Sequence, residues 1–354
     1  MEISQLLQLA IQQQASDVHI VVGVPPMLRI HGSLVVVANE PVVAAQKASE
    51  WVLAIMTPQQ KDQLLTNREV DFSYALGNQA RFRVNAYFEK GMAAAALRLI
   101  PAQIKTVEEL RLPKVCHSLT KLKQGFVLVT GPTGCGKSST LAAMIEEINA
   151  SRAEHIVTIE DPIEFLYTPK KSIISQREMH QDTHAWTVAL RSVLREDPNV
   201  VLVGEMRDFD TIAAAITVAE TGHLVFATLH TNSAAQSVDR MIDVFPAHQQ
   251  AQVRQQLASS LEGILAQRLV PSLRGGRVPA VEVLLATAAV RNLIREGKAH
   301  QIDSVIQTSG ELGMMTLEMS LGNLVKAGAV DLPVAQAYAL RPQELTRLVK
   351  GTDA

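Results

Sequence analysis

The residues with the clearest chemical meaning in this sequence form the run Gly131 to Ser138, which reads GPTGCGKS. The run matches the full GxxxxGK[ST] pattern of a phosphate-binding loop. Its glycines allow successive backbone N–H groups to converge on phosphate oxygens at the positive end of a helix. Lys137 adds a point charge for the β- and γ-phosphates, and the Ser138 hydroxyl is placed to ligate Mg²⁺. The run therefore predicts binding of ATP or GTP together with Mg²⁺.

The segments on either side of this loop are the strand and helix that such a loop requires. Gly125 to Thr130 is short, apolar and β-branched, and apolar residues recur at helical spacing from Leu141 to Ile148. The residues predicted to bind the nucleotide are Gly131, Pro132, Thr133, Gly134, Cys135, Gly136, Lys137, Ser138 and Ser139. The Cys135 thiol, beside a helix N-terminus and Lys137, is predicted to have a lowered pKa if solvent reaches it, and its alkylation is predicted to block nucleotide binding. The alternative is a small residue tolerated in the loop.

An acidic residue ends a second apolar run, Val200 to Val203, about seventy residues after the loop. Glu205 at this end is predicted to hold Mg²⁺ through water and to orient or deprotonate the attacking water. Asp208 is predicted instead to cap the helix that follows. Because ligands collect at the carboxyl ends of parallel strands, we expect Glu205 to lie beside the phosphates.

A third apolar run, Ile156 to Glu160, is followed by further carboxylates at Asp161 and Glu164. Such a cluster is self-repelling unless a cation or a water network compensates it. The carboxylate cluster is therefore predicted to lie in the nucleotide site beside Mg²⁺ or water. The alternative is that these carboxylates belong to a solvated turn or to the start of a helix.

Histidines stand at both ends of a fourth apolar run, Leu224 to Leu229. His223 and His230 are seven residues apart, which is about 23 Å along a strand, so they cannot share a metal ion. His230 follows the carboxyl end, where it is placed to sense the γ-phosphate or a neighbouring subunit. The alternative for a lone histidine is a satisfied structural residue.

Composition places further limits on function. The 354 residues, 47% of them hydrophobic, are enough for two domains. A formal net charge of −2 gives no basic footprint for nucleic acid. Two cysteines are too few for a disulfide framework or a four-cysteine zinc site, so no zinc is expected. No apolar run approaches the roughly 20 residues of a membrane span, and we expect a cytoplasmic protein.

The order of predicted elements indicates two domains. Residues up to about 100 alternate short helices and strands as a small α+β unit, and the chain from Gln124 alternates apolar strands with helices as a parallel α/β sheet. A hinge is expected near Pro113, so the predicted domains are 1–113 and 114–354. Three helices are predicted in a largely helical C-terminal portion: Ala234 to Val244, His248 to Leu269 and Ala288 to Glu296.

Taken together, these motifs resemble the type II/IV secretion ATPases, and within them the retraction ATPases of type IV pili. The resemblance covers nearly the whole chain. It rests on Gly131 to Ser138 as Walker A, Ile156 to Phe165 as the Asp box, Asp197 to Asp208 as an atypical Walker B, Thr221 to His230 as the His box, and Ala289 to Glu296 as the signature of the retraction subgroup.

The resemblance implies a PAS-like N-terminal domain joined to a RecA-like P-loop ATPase domain, an α/β fold overall, assembled as a homo-hexamer with ATP between subunits. It implies catalytic roles for Lys137, Glu164, Glu205, His223 and His230, with Mg²⁺ held at Ser138 and Glu205. It also implies that arginines of the N-terminal domain complete the neighbouring ATP site. The candidates are Arg81, Arg83 and Arg98, and the segment Tyr87 to Gly91 departs from the arginine-containing stretch of many relatives.

The function implied is ATP hydrolysis that drives pilus retraction and twitching motility. The partners implied are an inner-membrane pilus platform protein and a paralogous retraction ATPase, at the cytoplasmic side of the inner membrane. The polar face of Ala289 to Glu296 is expected to touch a partner or transmit the stroke. The alternatives are a pilus assembly or type II secretion ATPase, which the missing paired-cysteine motifs disfavour, and an accessory paralogue of another retraction ATPase.

Overall fold

The structure is a computed structural model that describes residues 1–30, 32–77, 79–100 and 103–351. The chain divides into two compact units. The first comprises Met1–Gln103 together with Pro162–Leu166, and the second comprises Ile104–Asp161 and the chain from Tyr167 onward. The domain limits expected from the sequence, 1–113 and 114–354, stay a prediction.

Over its described residues, the first unit is an antiparallel sheet with three helices. The helices are α1 (Ile3–Gln12), α2 (Ala45–Ala54) and α3 (Pro58–Asn67). The strands are β1 (Asp17–Ile20), β2 (Met27–Ile30), β3 (Ser33–Val36), β4 (Glu69–Leu76), β5 (Ala80–Glu89) and β6 (Met92–Ile100). They pair in the order β3-β2-β1-β6-β5-β4. The α+β architecture predicted for this part of the chain is confirmed.

The alternation of side chains along β5 explains why this unit has one covered sheet face. Phe82, Val84 and Ala86 are buried, whereas Arg83 between them is exposed. The buried residues share a core with Leu6 of α1. A strand period of two therefore separates an apolar face that packs on helices from a polar face that carries the arginines.

The second unit contains the remaining strands and helices. The strands are β7 (Gly125–Thr130), β8 (His155–Glu160), β9 (Ile173–Glu178), β10 (Val200–Val203), β11 (Leu224–Leu229), β12 (Leu261–Pro271) and β13 (Arg277–Leu285). The helices are α4 (Val115–Leu119), α5 (Lys137–Ser151), α6 (Trp186–Val193), α7 (Phe209–Glu220), α8 (Ala234–Asp243), α9 (Ala247–Ser260), α10 (Ala288–Arg295), α11 (Ile302–Thr308), α12 (Leu317–Lys326), α13 (Leu332–Tyr338) and α14 (Pro342–Lys350). Among the residues that the structure describes, none of the helices has the length and apolar character needed to cross a membrane.

The seven strands of this unit form one mixed sheet in the order β13-β12-β7-β11-β10-β8-β9. All neighbouring strands run parallel except β13, which is antiparallel to β12 at the edge. Every residue of β7, β10 and β11 is buried, as expected for a sheet covered on both faces. The predicted strands are confirmed, and the carboxyl ends of β7, β11, β10 and β8 meet at one edge.

The prediction of a helix from His248 to Leu269 is wrong in its second half. α9 ends at Ser260 and the chain continues directly as β12. β12 pairs with β7 on one side and with β13 on the other. Because a buried strand and a buried helix both present a nearly continuous apolar run, local periodicity does not distinguish them. Strands β9 and β13 are also absent from the sequence prediction.

The helix that carries the retraction-type signature is α10, as predicted. Val290 and Ile294 are buried beneath it. Arg291 turns toward its own chain, where it donates to the carbonyl oxygens of Ala258 at 2.8 Å and Ser259 at 2.9 Å. These are carbonyls at the C-terminus of α9, which otherwise lack intrahelical partners. Arg291 thus stabilises the turn from α9 into β12, and the expectation that the polar face of this helix touches a partner or transmits the stroke stays a prediction.

Candidate active site

The phosphate-binding loop connects β7 to α5, which begins at Lys137. Gly131, Gly134 and Gly136 have φ angles of +140°, +78° and +93°, which glycine adopts without strain. A Cβ atom on Gly131 would lie 2.3 Å from the backbone oxygen of Gln267 and 2.7 Å from the Sγ of Cys135. The first glycine is therefore required for space as well as for backbone conformation.

Lys137 extends back over this loop. Its Nζ donates to the carbonyl oxygens of Gly131 at 2.9 Å and Pro132 at 3.3 Å. Ser138 and Ser139 follow in the first turn of α5 and are half-buried. An ammonium, backbone N–H groups at a helix start and a hydroxyl form a donor set that fits the phosphates of a nucleotide. The Ser138 hydroxyl is also the kind of oxygen ligand that Mg²⁺ prefers.

Gln267 of β12 supports the phosphate loop and is not among the site residues that the sequence predicts. Its side-chain Nε2 donates to the Cys135 carbonyl at 2.7 Å, and its Oε1 accepts from the Thr140 hydroxyl at 2.7 Å. Gln267 is only 3% exposed. The contacts join residues more than one hundred positions apart, so no local pattern in the sequence identifies this residue.

Cys135 differs from the sequence expectation. Its side chain is buried, with 4% exposure, and packs toward Gly131 rather than toward solvent. Burial raises the pKa of the Cys135 thiol, and the opposing effect of the Lys137 charge is smaller. The condition for a lowered pKa, access of solvent to the thiol, is not met, because burial raises the pKa of the thiol by more than the Lys137 ammonium lowers it; the structure favours the alternative of a small residue tolerated in the loop.

Both cysteines are accordingly expected to react slowly in the folded protein. Burial also raises the pKa of Cys116, to about 12. With Ellman's reagent at pH 8, we expect both thiols to react at least about tenfold more slowly than in the urea-unfolded chain, because little thiolate forms and little of it is accessible. Rapid labelling of one thiol in the folded protein, mapped to Cys135 by mass spectrometry, would contradict this placement.

Glu205 lies just beyond β10 and is held by two side chains. Its carboxylate accepts from Arg207 Nε at 2.7 Å and contacts His230 Nε2 at 2.9 Å. The hydrogen bond from Arg207, assisted by the charges of Arg207 and His230, lowers the pKa of the Glu205 carboxyl although it is partly buried. Glu205 is thus kept ionised at neutral pH, which is the state that orients water or accepts a proton.

His230 is brought to Glu205 by the parallel pairing of β10 with β11. Thr228 strengthens this edge, since its hydroxyl donates to the Gly204 carbonyl at 2.6 Å and its own carbonyl accepts from the Met206 N–H at 3.1 Å. On the other side of β11, the Gly131 N–H donates to the Leu229 carbonyl at 3.3 Å. The loop, His230 and Glu205 therefore lie on three adjacent strand ends, as the sequence predicts.

The carboxylates after β8 separate into different surroundings. Glu160 is only 8% exposed, and its Oε1 accepts from the hydroxyl of Thr158 at 2.7 Å. Asp161 is exposed at the strand end. Glu164 belongs to the segment Pro162–Leu166 of the first unit and is exposed. Its predicted catalytic role stays a prediction.

His223 lies at the amino end of β11, whereas His230 lies at the carboxyl end of the same strand. Its Nδ1 is 3.0 Å from the Val218 carbonyl and 3.0 Å from the Thr221 hydroxyl, so it closes the end of α7. At the other end of the same helix, the Asp208 side chain accepts from the Thr211 N–H at 2.8 Å, which confirms the predicted cap. The structure does not bring His223 to the phosphate loop, and its catalytic role stays a prediction.

The three candidate arginines share the polar face of the first unit. Arg83 of β5 stands directly opposite Arg98 of β6, and Arg98 stands opposite Asp17 of β1. Arg98 Nε donates to Asp17 at 3.0 Å, and Arg81 donates to the Ser73 hydroxyl at 2.7 Å. Arg98 is thus paired with an acidic neighbour on this face, and the assignment of the three arginines to an ATP site stays a prediction.

A cleft of about 400 Å³ opens beside the phosphate loop within the second unit. Gly136, Ser139 and Thr140 line one side of it. The other lining residues include the acidic Glu109, apolar side chains such as Leu112 and Leu269, and four basic side chains: Lys105, Arg111, Arg274 and Arg277. Its size and position suit the ribose and base of a nucleotide whose phosphates occupy the loop. None of these four basic residues is predicted by the sequence analysis, because they lie far from the motifs.

Residues 1–283 match the family described as "Type II/IV secretion system protein". The chain belongs to this family. The match includes the phosphate loop, Glu205 and His230, so these residues of the site lie within the segment that defines the type II/IV secretion system proteins.

Relatives of the same family match nearly the whole chain. The "Type IV pilus retractation ATPase PilT" of Pseudomonas aeruginosa is 47% identical over 97% of this chain and 99% of its own length. The "Twitching motility protein" of Neisseria gonorrhoeae is 48% identical over 91% of this chain and 86% of its own length. A crystal structure of the pilus retraction motor PilT with bound ADP superposes with a TM-score of 0.92 at 43% identity, covering 98% of this chain and 99% of that one. The predicted family and α/β fold are thereby confirmed.

Proposed function

We propose that this chain is an ATP-hydrolysing motor that drives retraction of type IV pili and, through it, twitching motility. The observation that supports this most directly is the meeting of the phosphate loop with the Glu205–His230 pair on adjacent strand ends. The chain that carries this site is similar over almost its full length to a pilus retraction ATPase and to a retraction motor with bound ADP. Site chemistry and overall similarity therefore agree.

The nucleotide binds, in this proposal, with its phosphates in the loop 131–138 and its ribose and base in the cleft beside it. Lys137 moves its ammonium from the carbonyls of Gly131 and Pro132 to the β- and γ-phosphates. Ser138 would be the direct protein ligand for Mg²⁺, and Glu205 would hold the ion through water. When bound, Mg²⁺ would neutralise charge that develops on the phosphate oxygens.

Hydrolysis uses the ionised carboxylate of Glu205. Glu205 orients a water molecule toward the γ-phosphate and accepts its proton as the water attacks. His230 contacts the same carboxylate at 2.9 Å. Its position therefore depends on the protonation and position of Glu205, and it can shift when the γ-phosphate leaves. Arg207, with a side chain that is 70% exposed, is free to exchange Glu205 for another partner during the cycle.

Assembly and location are the remaining parts of the proposal. A homo-hexamer places Arg81, Arg83 and Arg98 of one subunit at the ATP site of the next, where guanidinium groups stabilise charge on the transferring phosphoryl group. Glu164 and His223 complete the predicted catalytic set. The ring acts at the cytoplasmic side of the inner membrane, on a platform protein at the pilus base, alone or with a paralogous retraction ATPase.

The experiment that tests this function removes only this gene and measures surface pili and surface motility. Retraction predicts an excess of surface pili together with loss of twitching, because filaments still assemble and no longer shorten. Complementation with the wild-type gene should restore both, and a Glu205→Gln gene should restore neither. Loss of surface pili in the deletion strain would instead assign the chain to pilus assembly and overturn the proposal.

A further inference from the structure

The chain leaves the sheet immediately after β11, at His230. The residue before it, Leu229, is fixed by strand pairing with Thr130 and by the N–H of Gly131. The residue after it, Thr231, lies beyond the last paired position of the strand. Backbone pairing therefore holds the chain before His230 but not the chain after it. The position of His230 beside Glu205 then depends on the contacts that hold Thr231.

Thr231 is fixed by a buried group of three hydroxyls. Its Oγ1 lies 2.6 Å from the Oγ of Ser237 on α8, and the same Ser237 atom lies 3.4 Å from the Oγ1 of Thr130. Thr130 and Ser237 have no exposed surface, and Thr231 is 7% exposed. Thr130 directly precedes Gly131 of the phosphate loop. We call these three residues the hydroxyl junction.

The direction of the hydrogen bonds in the hydroxyl junction follows from proton counting. Ser237 also donates to the carbonyl oxygen of Ser233 at 2.7 Å, and a carbonyl only accepts. Since a serine hydroxyl has a single proton, the short contact between Ser237 and Thr231 requires Thr231 as the donor. A residue without a hydroxyl at position 231 would lose this bond and leave the Ser237 lone pair unsatisfied in a buried site.

The helix that carries Ser237 is itself firmly held. The N–H of Ala234, the first residue of α8, donates to the Glu282 carboxylate at 2.7 Å. Glu282 lies on β13, in the same row across the sheet as Ala266, Thr130 and Leu229, and it is 2% exposed. The side chain of Ser233 accepts from the Gln236 N–H at 3.2 Å as the helix cap. The position of Ser237 is therefore well defined, and Thr231 is hydrogen-bonded to it.

We propose that the hydroxyl junction positions His230 for ATP hydrolysis by linking the end of β11 to the end of β7 through Ser237. Thr130, Thr231 and Ser237 are positioning residues that act through His230 and the phosphate loop and do not touch the nucleotide. A shift of the loop when the γ-phosphate leaves is passed by Thr130 and Ser237 to Thr231, and so to the His230–Glu205 contact. This inference rests on the proposed function, because it requires that the chain hydrolyses ATP.

The test compares Thr231→Val with Thr231→Ser in the full-length protein. Valine has the shape of threonine without the hydroxyl, whereas serine keeps the hydroxyl and loses only the methyl group. For Thr231→Val we expect kcat for ATP to fall about tenfold with KM changed less than about twofold, because misplacement of a catalytic group slows the chemical step. Thr231→Ser should retain most of the wild-type kcat. Ser237→Ala removes the serine hydroxyl that accepts the Thr231 hydrogen bond, and it should reproduce the Thr231→Val result.

The outcomes separate this inference from the proposed function. A Thr231→Val protein with wild-type kcat would overturn the inference, and so would a Thr231→Ser protein as slow as Thr231→Val, because packing of the methyl group would then be what matters. If Thr231→Val does not fold, as judged by its thermal unfolding, the kcat and KM of Ser237→Ala decide in its place. A wild-type protein that hydrolyses no ATP would contradict the proposed function itself.

Discussion

Glu205→Gln is expected to bind ATP with near-normal affinity and to lose almost all turnover. Glutamine keeps the shape of the side chain and an oxygen for the Arg207 hydrogen bond, but it has no negative charge and cannot accept a proton from water. Removal of a general base typically slows a reaction on the order of 10²- to 10⁴-fold. Steady-state phosphate release measures kcat, and fluorescence of a labelled ATP analogue measures its Kd.

Glu311→Gln is the matched control for this substitution. It makes the same chemical change at an exposed position outside the candidate site, and it should leave both kcat and Kd at wild-type values. Turnover by Glu205→Gln within about threefold of wild type, a difference of less than 1 kcal/mol in the barrier, would refute the role assigned to Glu205. Loss of ATP binding by the same variant would show that the carboxylate holds the bound nucleotide complex rather than the attacking water.

Lys137→Gln is expected to weaken ATP binding strongly. The substitution removes the ammonium that the loop holds 2.9 Å from the Gly131 carbonyl, at the point where the β- and γ-phosphates are proposed to lie. Loss of charge-assisted hydrogen bonds to phosphate costs about 3 kcal/mol, or about a 100-fold increase in Kd. Titration calorimetry with ATP and Mg²⁺ measures this change, and phosphate release at saturating ATP should fall with it.

Lys121→Gln is the control for Lys137→Gln, since Lys121 is an exposed lysine just before β7. It should bind ATP as the wild-type protein does. Thermal unfolding of both variants should resemble that of the wild type, because the hydrogen bonds that Lys137 makes to the loop are partly exposed. An unchanged Kd for Lys137→Gln would mean that the nucleotide phosphates do not occupy this loop.

The parts of the site that the sequence predicts are those encoded over short stretches of chain. The glycine spacing of the loop, the apolar run before it and the helical spacing after it all lie within about 25 residues, so their combination specifies the turn from β7 into α5. Glu205 and His230 are found in the same way, since each directly follows a continuous apolar strand whose carboxyl end faces the ligand edge of a parallel sheet.

Other features depend on contacts between distant segments. Gln267 supports the loop from β12. The apolar residues of this strand, Leu261, Ile264, Leu265 and Leu269, also fit helical spacing, so neither the strand nor the contact of Gln267 with Cys135 can be predicted from the local sequence. Cys135 is a similar case, because whether a thiol beside a lysine is reactive depends on how completely other strands cover it. Arg207 follows Glu205 by two residues, and only the folded loop shows that the two pair.

The sequence by itself determined the family, the phosphate loop and the strand ends that supply its acid and its histidine, because glycine spacing and apolar runs act through local backbone geometry. Only the tertiary structure decided that Cys135 is buried, that His223 closes the end of α7, and that Thr130, Ser237 and Thr231 share one buried junction. These facts arise from strand order and helix packing, which bring together residues more than one hundred positions apart, and burial then sets their hydrogen bonding and charge.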